Sequence, residues 1–211
     1  MAKENVGAVL PPKRQLVCKR TFDIVCAALG LLVLSPVLLV CGVLVVSTSP
    51  GGAVFRQERI GKNGVSFTIY KFRTMRCDNT GSKITADGDS RITDIGRTLR
   101  KMKLDELPQL WNVLKGDMSF VGPRPEVPEY VAMYDEEQRQ VLAVRPGITG
   151  IASIRYRSES NMLAQSGDPN RTYVEEIMPA KLALDLEYIP HASVKYDIQL
   201  ILETLVAVVK K

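Results

Sequence analysis

From Ile24 to Val46 the chain runs for 23 residues without a charged side chain. As a helix rising about 1.5 Å per residue, such a run reaches about 35 Å, enough to cross the hydrocarbon of a bilayer. It is too long for the apolar core of a cleaved signal peptide, and no small-x-small site follows closely. Its composition argues against a wholly buried soluble helix. Ser35-Pro36 interrupts the run at its midpoint. Pro36 removes a backbone hydrogen bond, crowds the carbonyl of Leu32 and turns Ser35 away from helical angles. A carbonyl freed in hydrocarbon needs a partner, and the Ser35 hydroxyl is the local one. Basic residues flank both ends: Lys13, Arg14, Lys19 and Arg20 before, Arg56, Arg59 and Lys62 after. The positive-inside tendency then assigns both ends to the cytoplasmic side. A helix that dips into the membrane and returns to the same face meets both demands, with a proline-kinked span as the alternative. Asp23, at the head of the run, is expected to cap the helix or to pair with Lys19 and Arg20.

The run divides the chain into a basic leading segment (1–20), a membrane helix (21–47) and a cytosol-facing domain (48–211). After the turn Ser49-Pro50-Gly51-Gly52, Val54–Ile60 and Val65–Phe72 flank Gly61-Lys62-Asn63-Gly64 and read as a β-hairpin with a basic edge of Lys71, Arg73 and Arg76. Residues 79–94 read as a polar loop. Its Asp87-Gly88-Asp89 lacks the preceding apolar strand of a sugar-nucleotide metal motif and fails the EF-hand spacing, so a loop closing over a site is the reading. Glu126–Val144 reads as one helix with a charged face. The closing VKYDIQLILETLVAVVKK carries a broad apolar face of about 16 residues, short for a span, which suits the headgroup layer or packing on the domain. The expected class is α+β, mostly helical, with a small β-hairpin and amphipathic interfacial helices.

A net charge of +5 and a pI near 9.0 suit phosphate-bearing partners: nucleotides, anionic lipid or nucleic acid. Nucleic acid is the weakest, because aromatics are 6% and no base-reading motif is present. The four cysteines (Cys18, Cys26, Cys41 and Cys77) lack metal-ligand spacing and read as reduced, buried thiols. A single histidine, His191, and no Gly-x-Ser-x-Gly elbow exclude serine hydrolase chemistry.

The chemistry concentrates between Arg97 and Pro125, around Asp105-Glu106-Leu107-Pro108. Pro108 suits only the first turn of a helix, which makes Asp105 the natural N-cap. Leu107, Leu110, Trp111 and Leu114 then recur at helical spacing up to Lys115-Gly116. Capping alone would account for an isolated Asp-x-x-Pro. Here Arg97, Arg100, Lys101 and Lys103 precede the acids and Arg124 follows, and arginine forks grip phosphate oxygens. A carboxylate in such a field stays ionised, free to hold Mg²⁺ or to attack phosphorus. Gly122-Pro123-Arg124-Pro125 fixes the backbone on both sides of Arg124, so the arginine is aimed in advance. Arg145-Pro146-Gly147-Ile148-Thr149-Gly150 is a second stiff loop whose glycines permit close approach to a ligand.

LDELPQLWNVLKGDMSFVGPRP, with IYKFRTM at 69–75 and RPGITG at 145–150, resembles the bacterial sugar transferase family, the monotopic phosphoglycosyl transferases, over nearly the whole chain from about Lys19. The resemblance implies transfer of a sugar-1-phosphate from a UDP-sugar to polyprenyl (undecaprenyl) phosphate, giving polyprenyl-diphosphate-sugar and UMP. It places the enzyme at the cytoplasmic face of the bacterial inner membrane, at the first membrane step of a surface-glycan or glycoprotein pathway. The partners are then UDP-sugar, polyprenyl phosphate and the phospholipid bilayer, with a re-entrant helix broken at Ser35-Pro36. The implied mechanism is two-step: Asp105 attacks phosphorus, with Mg²⁺ held by Asp105 and the diphosphate, and Glu106 supports Asp105 or the metal. Arg100, Arg124 and Arg145 hold phosphates, Lys71 and Arg73 lie close to the site, and Asp185 occupies the family's Leu-Asp-x-x-Tyr position. The chain departs from the commoner pattern at Ala152–Arg157 and in a polar insertion, 158–172, which leaves the sugar open. Two other classes fit the residues: a metal-dependent glycosyltransferase that releases UDP, and a non-enzymatic scaffold that binds anionic lipid.

Overall fold

Two helices meet at the Ser35-Pro36 break: α1 (Lys13–Val33) and α2 (Ser35–Thr48), bent by 62°. The structure, a computed structural model, describes residues 9–77 and 89–209. Asp87-Gly88 and Lys210-Lys211 lie outside the described residues. Leu32 has lost its helical donor to Pro36, and Ser35 Oγ donates to the Leu32 carbonyl at 2.8 Å. Among the described residues no single helix is long and apolar enough to cross a membrane; the bent pair meets the test only together. Leu29, Leu32, Val33, Leu39, Val40 and Val43 are each more than half exposed, so the bend presents a wide apolar surface.

Helix α1 begins at Lys13, so the basic residues form its first turns, and Asp23 caps nothing. Asp23 is buried and accepts from the Phe120 amide at 3.1 Å. Its expected partners are engaged elsewhere: Arg20 donates to the carbonyls of Val113 and Leu114, and Lys19 pairs with Asp197. Lys19 also donates to the Val121 carbonyl (2.9 Å) and the Tyr188 hydroxyl (3.1 Å). The start of α1 is thereby fastened to the core.

Strands β1 (Val54–Ile60) and β2 (Ser66–Phe72) form the expected antiparallel hairpin, with Val54 opposite Phe72 and Ile60 opposite Ser66. Helix α3 (Asp94–Lys101) follows, capped by Thr93 Oγ1, which accepts from the Gly96 amide. The helix lies so close to the chain beyond β2 that a Cβ on Gly96 would stand 2.2 Å from the Thr74 carbonyl oxygen. Only glycine allows that approach. A 3₁₀ turn (Leu104–Glu106) leads to α4 (Gln109–Lys115) and its left-handed stop at Gly116.

Strand β3 (Ser119–Val121) pairs with β4 (Gly147–Thr149) in a short parallel ladder not foreseen from the sequence. The glycines expected to approach a ligand bring the two loops against each other instead: a Cβ on Gly147 would lie 2.2 Å from the Gly122 nitrogen. The single helix expected over Glu126–Val144 is also absent. A four-residue helix, α5 (Pro128–Val131), is followed by a 3₁₀ segment (Gln138–Ala143). Asp135 and Gln138 explain the restart, since each side chain accepts from the other's backbone amide, a reciprocal capping box. Arg139 meanwhile donates back to the Tyr134 and Ala132 carbonyls.

The rest is helical: α6 (Ile151–Arg155), α7 (Glu159–Ala164), α8 (Pro169–Thr172), a wide π-type turn (Tyr173–Ile177) running into α9 (Met178–Tyr188), and α10 (Val194–Val209). The polar insertion therefore contains two short helices. Val121, Tyr188, Ile189, Ala192 and Leu200 form one core beneath the parallel ladder. Helix α10 packs its Asp197 and Leu200 side inward and leaves Ile198, Leu202, Leu205 and Val206 exposed. Of the cysteines expected to be buried, Cys41 is buried and Cys26 partly so, whereas Cys18 and Cys77 are exposed. The fold is mostly helical α+β with a small antiparallel hairpin.

Candidate active site

Three elements converge on the acidic pair. Helix α4 positions the pair from one side and strand β2 from another. Asn112, fully buried, joins them: its Oδ1 accepts from the Tyr70 amide at 3.1 Å and its Nδ2 donates to the Thr68 carbonyl at 2.7 Å. The carboxamide thus extends the hairpin edge as another strand would, and it fixes the height of Lys71 beside Glu106. The third element is the proline-braced loop that carries Arg124.

Asp105 does not cap α4. It lies in the 3₁₀ turn, after Lys103, whose φ of 57° turns the chain left-handed. Residues held in that region cluster at functional sites because the surrounding structure must enforce them. Asp105 is 8% exposed, and its Oδ1 has no hydrogen-bond partner among the described residues. Glu106 is the reverse case. Its Oε1 accepts from Lys71 Nζ at 3.0 Å and from Arg124 Nη2 at 3.1 Å.

The two neighbours consequently ionise differently. Burial alone would raise Glu106, but Lys71, Arg124 and Lys103 overcome it and hold the carboxyl well below its ordinary range. Burial and the adjacent Glu106 push Asp105 upward, against the pull of Lys71, Lys103 and Arg100. Of the cations expected to keep Asp105 acidic, Arg124 is bonded to Glu106 and Arg97 to Asp94, and the pull of those that remain does not offset burial. A carboxylate of raised pKa is the better nucleophile once ionised, because it holds its electron pair less tightly.

The structure brings together Asp105, Glu106, Lys71, Arg100 and Arg124. Arg100 Nε donates to Thr74 Oγ1 at 2.8 Å, and the charge of Asp105 acts on its guanidinium. Asp185 lies beneath this group. Burial pushes it up to about 7, while the amides of Arg124 and Ala152 hydrogen-bond to it. It therefore holds the backbone that presents Arg124.

Two expected site residues are placed elsewhere. Arg73 is buried and donates to the carbonyls of Ser49, Pro50, Gly51 and Gly52 and to Ser49 Oγ, so its fork closes the turn after α2. Arg145 Nε donates to the Gly116 carbonyl at 2.8 Å, at the far end of α4 from the acids. Arg97 pairs with Asp94 on the surface.

Sequence reasoning missed Asn112 and the Glu126 hub. Glu126 accepts from Arg59 (3.0 Å) and from the Tyr173 hydroxyl, bracing the chain just after Arg124. Asn112 carried a usable signal, a carboxamide set among Leu110, Val113 and Leu114 of a short helix; Glu126 carried none, because its partners are 67 and 47 residues away.

Mg²⁺ is commonly held by one or two carboxylates together with substrate phosphates. The unpartnered Asp105 Oδ1 fits that mode; among the described residues no cluster of three His, Cys, Asp or Glu forms an all-protein cage.

Comparison with known proteins places the chain. The model of the bacterial sugar transferase family matches residues 14–211. The chain is 37% identical over 209 residues to an Aeromonas hydrophila protein named UDP-N-acetylgalactosamine-undecaprenyl-phosphate N-acetylgalactosaminephosphotransferase, covering 96% of this chain and 46% of that one. It is 38% identical over 212 residues to a Caulobacter vibrioides UDP-glucose:undecaprenyl-phosphate glucose-1-phosphate transferase, covering 94% and 72%. With the exopolysaccharide production protein PSS of Rhizobium leguminosarum it shares 41% over 202 residues, covering 91% and 95%. The chain thus spans about half of the Aeromonas relative and nearly all of the Rhizobium one. A match over almost the whole sequence, joined to this set of relatives, establishes that the chain belongs to the bacterial sugar transferase family.

Proposed function

We propose that the chain is a phosphoglycosyl transferase that moves a sugar-1-phosphate from a UDP-sugar to polyprenyl phosphate. The observation that carries this reading is the asymmetry of the acidic pair: one carboxylate saturated with cations, the next buried with an unpartnered oxygen. An Asp105 oxygen attacks the sugar-bearing phosphorus and forms a P–O bond as the bond to the UMP oxygen breaks. The phosphate oxygen of the lipid then attacks the same phosphorus, forms the diphosphate, and returns the carboxylate. Arg124 and Lys71, positioned through Glu106, and Arg100, positioned through Thr74, stand ready to hold phosphoryl oxygens through both steps. When bound, Mg²⁺ held by Asp105 and the donor's diphosphate would supply charge neutralisation for the departing nucleotide.

The bend at Ser35-Pro36 and the basic residues on both flanks support a re-entrant helix, with the catalytic domain on the cytoplasmic face of the inner membrane. A soluble donor and a lipid acceptor meet only at the headgroup plane, and fastening α1 to the core through Lys19 and Asp23 keeps the site there. The names of the relatives support undecaprenyl phosphate as acceptor and a surface-glycan pathway as destination.

Incubation with a panel of UDP-sugars and polyprenyl phosphate tests the reading through its nucleotide product. UMP release that needs the lipid for multiple turnovers is expected. Release of UDP would indicate direct glycosyl transfer, and absence of turnover with every donor would leave the lipid-binding scaffold.

A further inference from the structure

Gln109 is the first residue of α4, 2% exposed, and its Nε2 has no hydrogen-bond partner among the described residues. A buried donor left unpaired costs stability and is rare in native proteins. Its position in the fold is informative. Gln109 lies three residues from Asn112, which is bonded to β2 at Thr68 and Tyr70, and three residues from Glu106, which is bonded to Lys71 farther along the same strand. Residues three and four apart share a helix face. Gln109 therefore shares the Asn112 face of α4, one turn before the clasp on β2, and follows Glu106 by three residues and Asp105 by four.

Two buried, unpartnered polar atoms of opposite kind thus lie on residues four apart in the chain: an acceptor, Asp105 Oδ1, and a donor, Gln109 Nε2. Neither satisfies the other. We infer that Gln109 is a further substrate-contacting residue, whose Nε2 donates to a non-bridging oxygen of the phosphoryl group while that group passes to and from Asp105. The inference rests on the transferase reading above. A buried donor with no protein partner is left for the oxygens on which charge builds, and that accounts for a residue kept unpaired. The cations of the site act as charges, whereas the carboxamide is neutral and directional, so it sets orientation without drawing Glu106 away from Lys71 and Arg124.

The test pairs turnover with stability for Gln109→Met, which keeps the length of the side chain and removes its polar atoms. A structural glutamine would lose both together. A substrate donor gives opposite signs: a fall of about 100-fold or more in the single-turnover rate of UMP release, the scale seen when one oxyanion donor is removed, with a thermal midpoint equal to or above that of wild type. Gln109→Leu, read in the same way, guards against a misfit peculiar to methionine. Wild-type-like rates in either folded variant would overturn the inference, as would a lowered midpoint in both. Because wild type runs alongside, the two failures separate: an inactive wild type overturns the transferase reading and this inference with it, whereas an active wild type matched by its variants overturns only the role of Gln109.

Discussion

Asp105 and Glu106 are adjacent in the chain, yet Glu106 Oε1 takes both Lys71 and Arg124 while Asp105 Oδ1 takes no partner among the described residues. Glu106 is thus the counter-ion that permits two cations to be stored beside Asp105. Its removal should leave Lys71 and Arg124 repelling each other. Glu106→Leu is expected to destabilise the protein by about 3 kcal/mol, the lower end for breaking a buried pair, since Arg124 is partly exposed. Glu106→Gln should lose less, and Lys71→Met should recover part of the loss in the Glu106→Leu background. Denaturation midpoints in detergent or nanodiscs check all three.

Arg73 is predicted to matter for folding and not for chemistry. Arg73→Lys removes the planar fork that gathers the Ser49–Gly52 carbonyls. Hydrogen bonds to charged groups contribute about 1.5–3 kcal/mol, and a loss of that size in stability is expected, with kcat per folded enzyme unchanged. A fall in kcat at full stability would return Arg73 to the site.

The buried carboxyl of Asp185 makes stability fall as pH rises. Its folded pKa is raised from 3.8 to about 7, so the native state binds the proton more tightly than the unfolded chain. The associated stabilisation is complete below about pH 4 and is lost progressively as the pH climbs to about 7. At about 1.4 kcal/mol per unit, the effect amounts to a few kcal/mol at most. Asp185→Asn has no proton to lose, and its thermal midpoint should change less between pH 5 and pH 8 than that of wild type. Parallel curves for the two proteins would contradict this.

Pro36 sets the bend, so Pro36→Ala should straighten it. Single cysteines near Lys13 and Arg56, each in a cysteine-free background, are expected to react with an impermeant thiol reagent only from the cytoplasmic side. In Pro36→Ala a fraction of the Lys13 sites should become accessible from the opposite side. Opposite-side labelling of one end in the unaltered protein would mark α1 and α2 as a kinked span.

The sequence made some features plain because their causes are local. The hairpin follows from its turn and its alternating strands. The Ser35–Leu32 hydrogen bond follows from proline chemistry within four residues. The acidic pair was visible through the basic residues around it. The division of labour within that pair was not, because it depends on Lys71, 35 residues away, reaching Glu106 ahead of Asp105. Arg73 and Arg145 each donate to backbone carbonyls, and a sequence cannot show which carbonyls an arginine will meet. Glu126–Val144 has the charged face of one helix, and the Asp135–Gln138 capping box that restarts it shows only in the hydrogen bonds.

The central claim is that Asp105 becomes covalently esterified, and intact-protein mass spectrometry tests it most directly. Enzyme soaked with its UDP-sugar in the absence of lipid should gain the mass of one sugar phosphate, lose it when polyprenyl phosphate is added, and gain nothing in Asp105→Asn. An Asp105→Asn protein that turns over at the wild-type rate, or a turning-over wild type that never carries the adduct, would contradict the account.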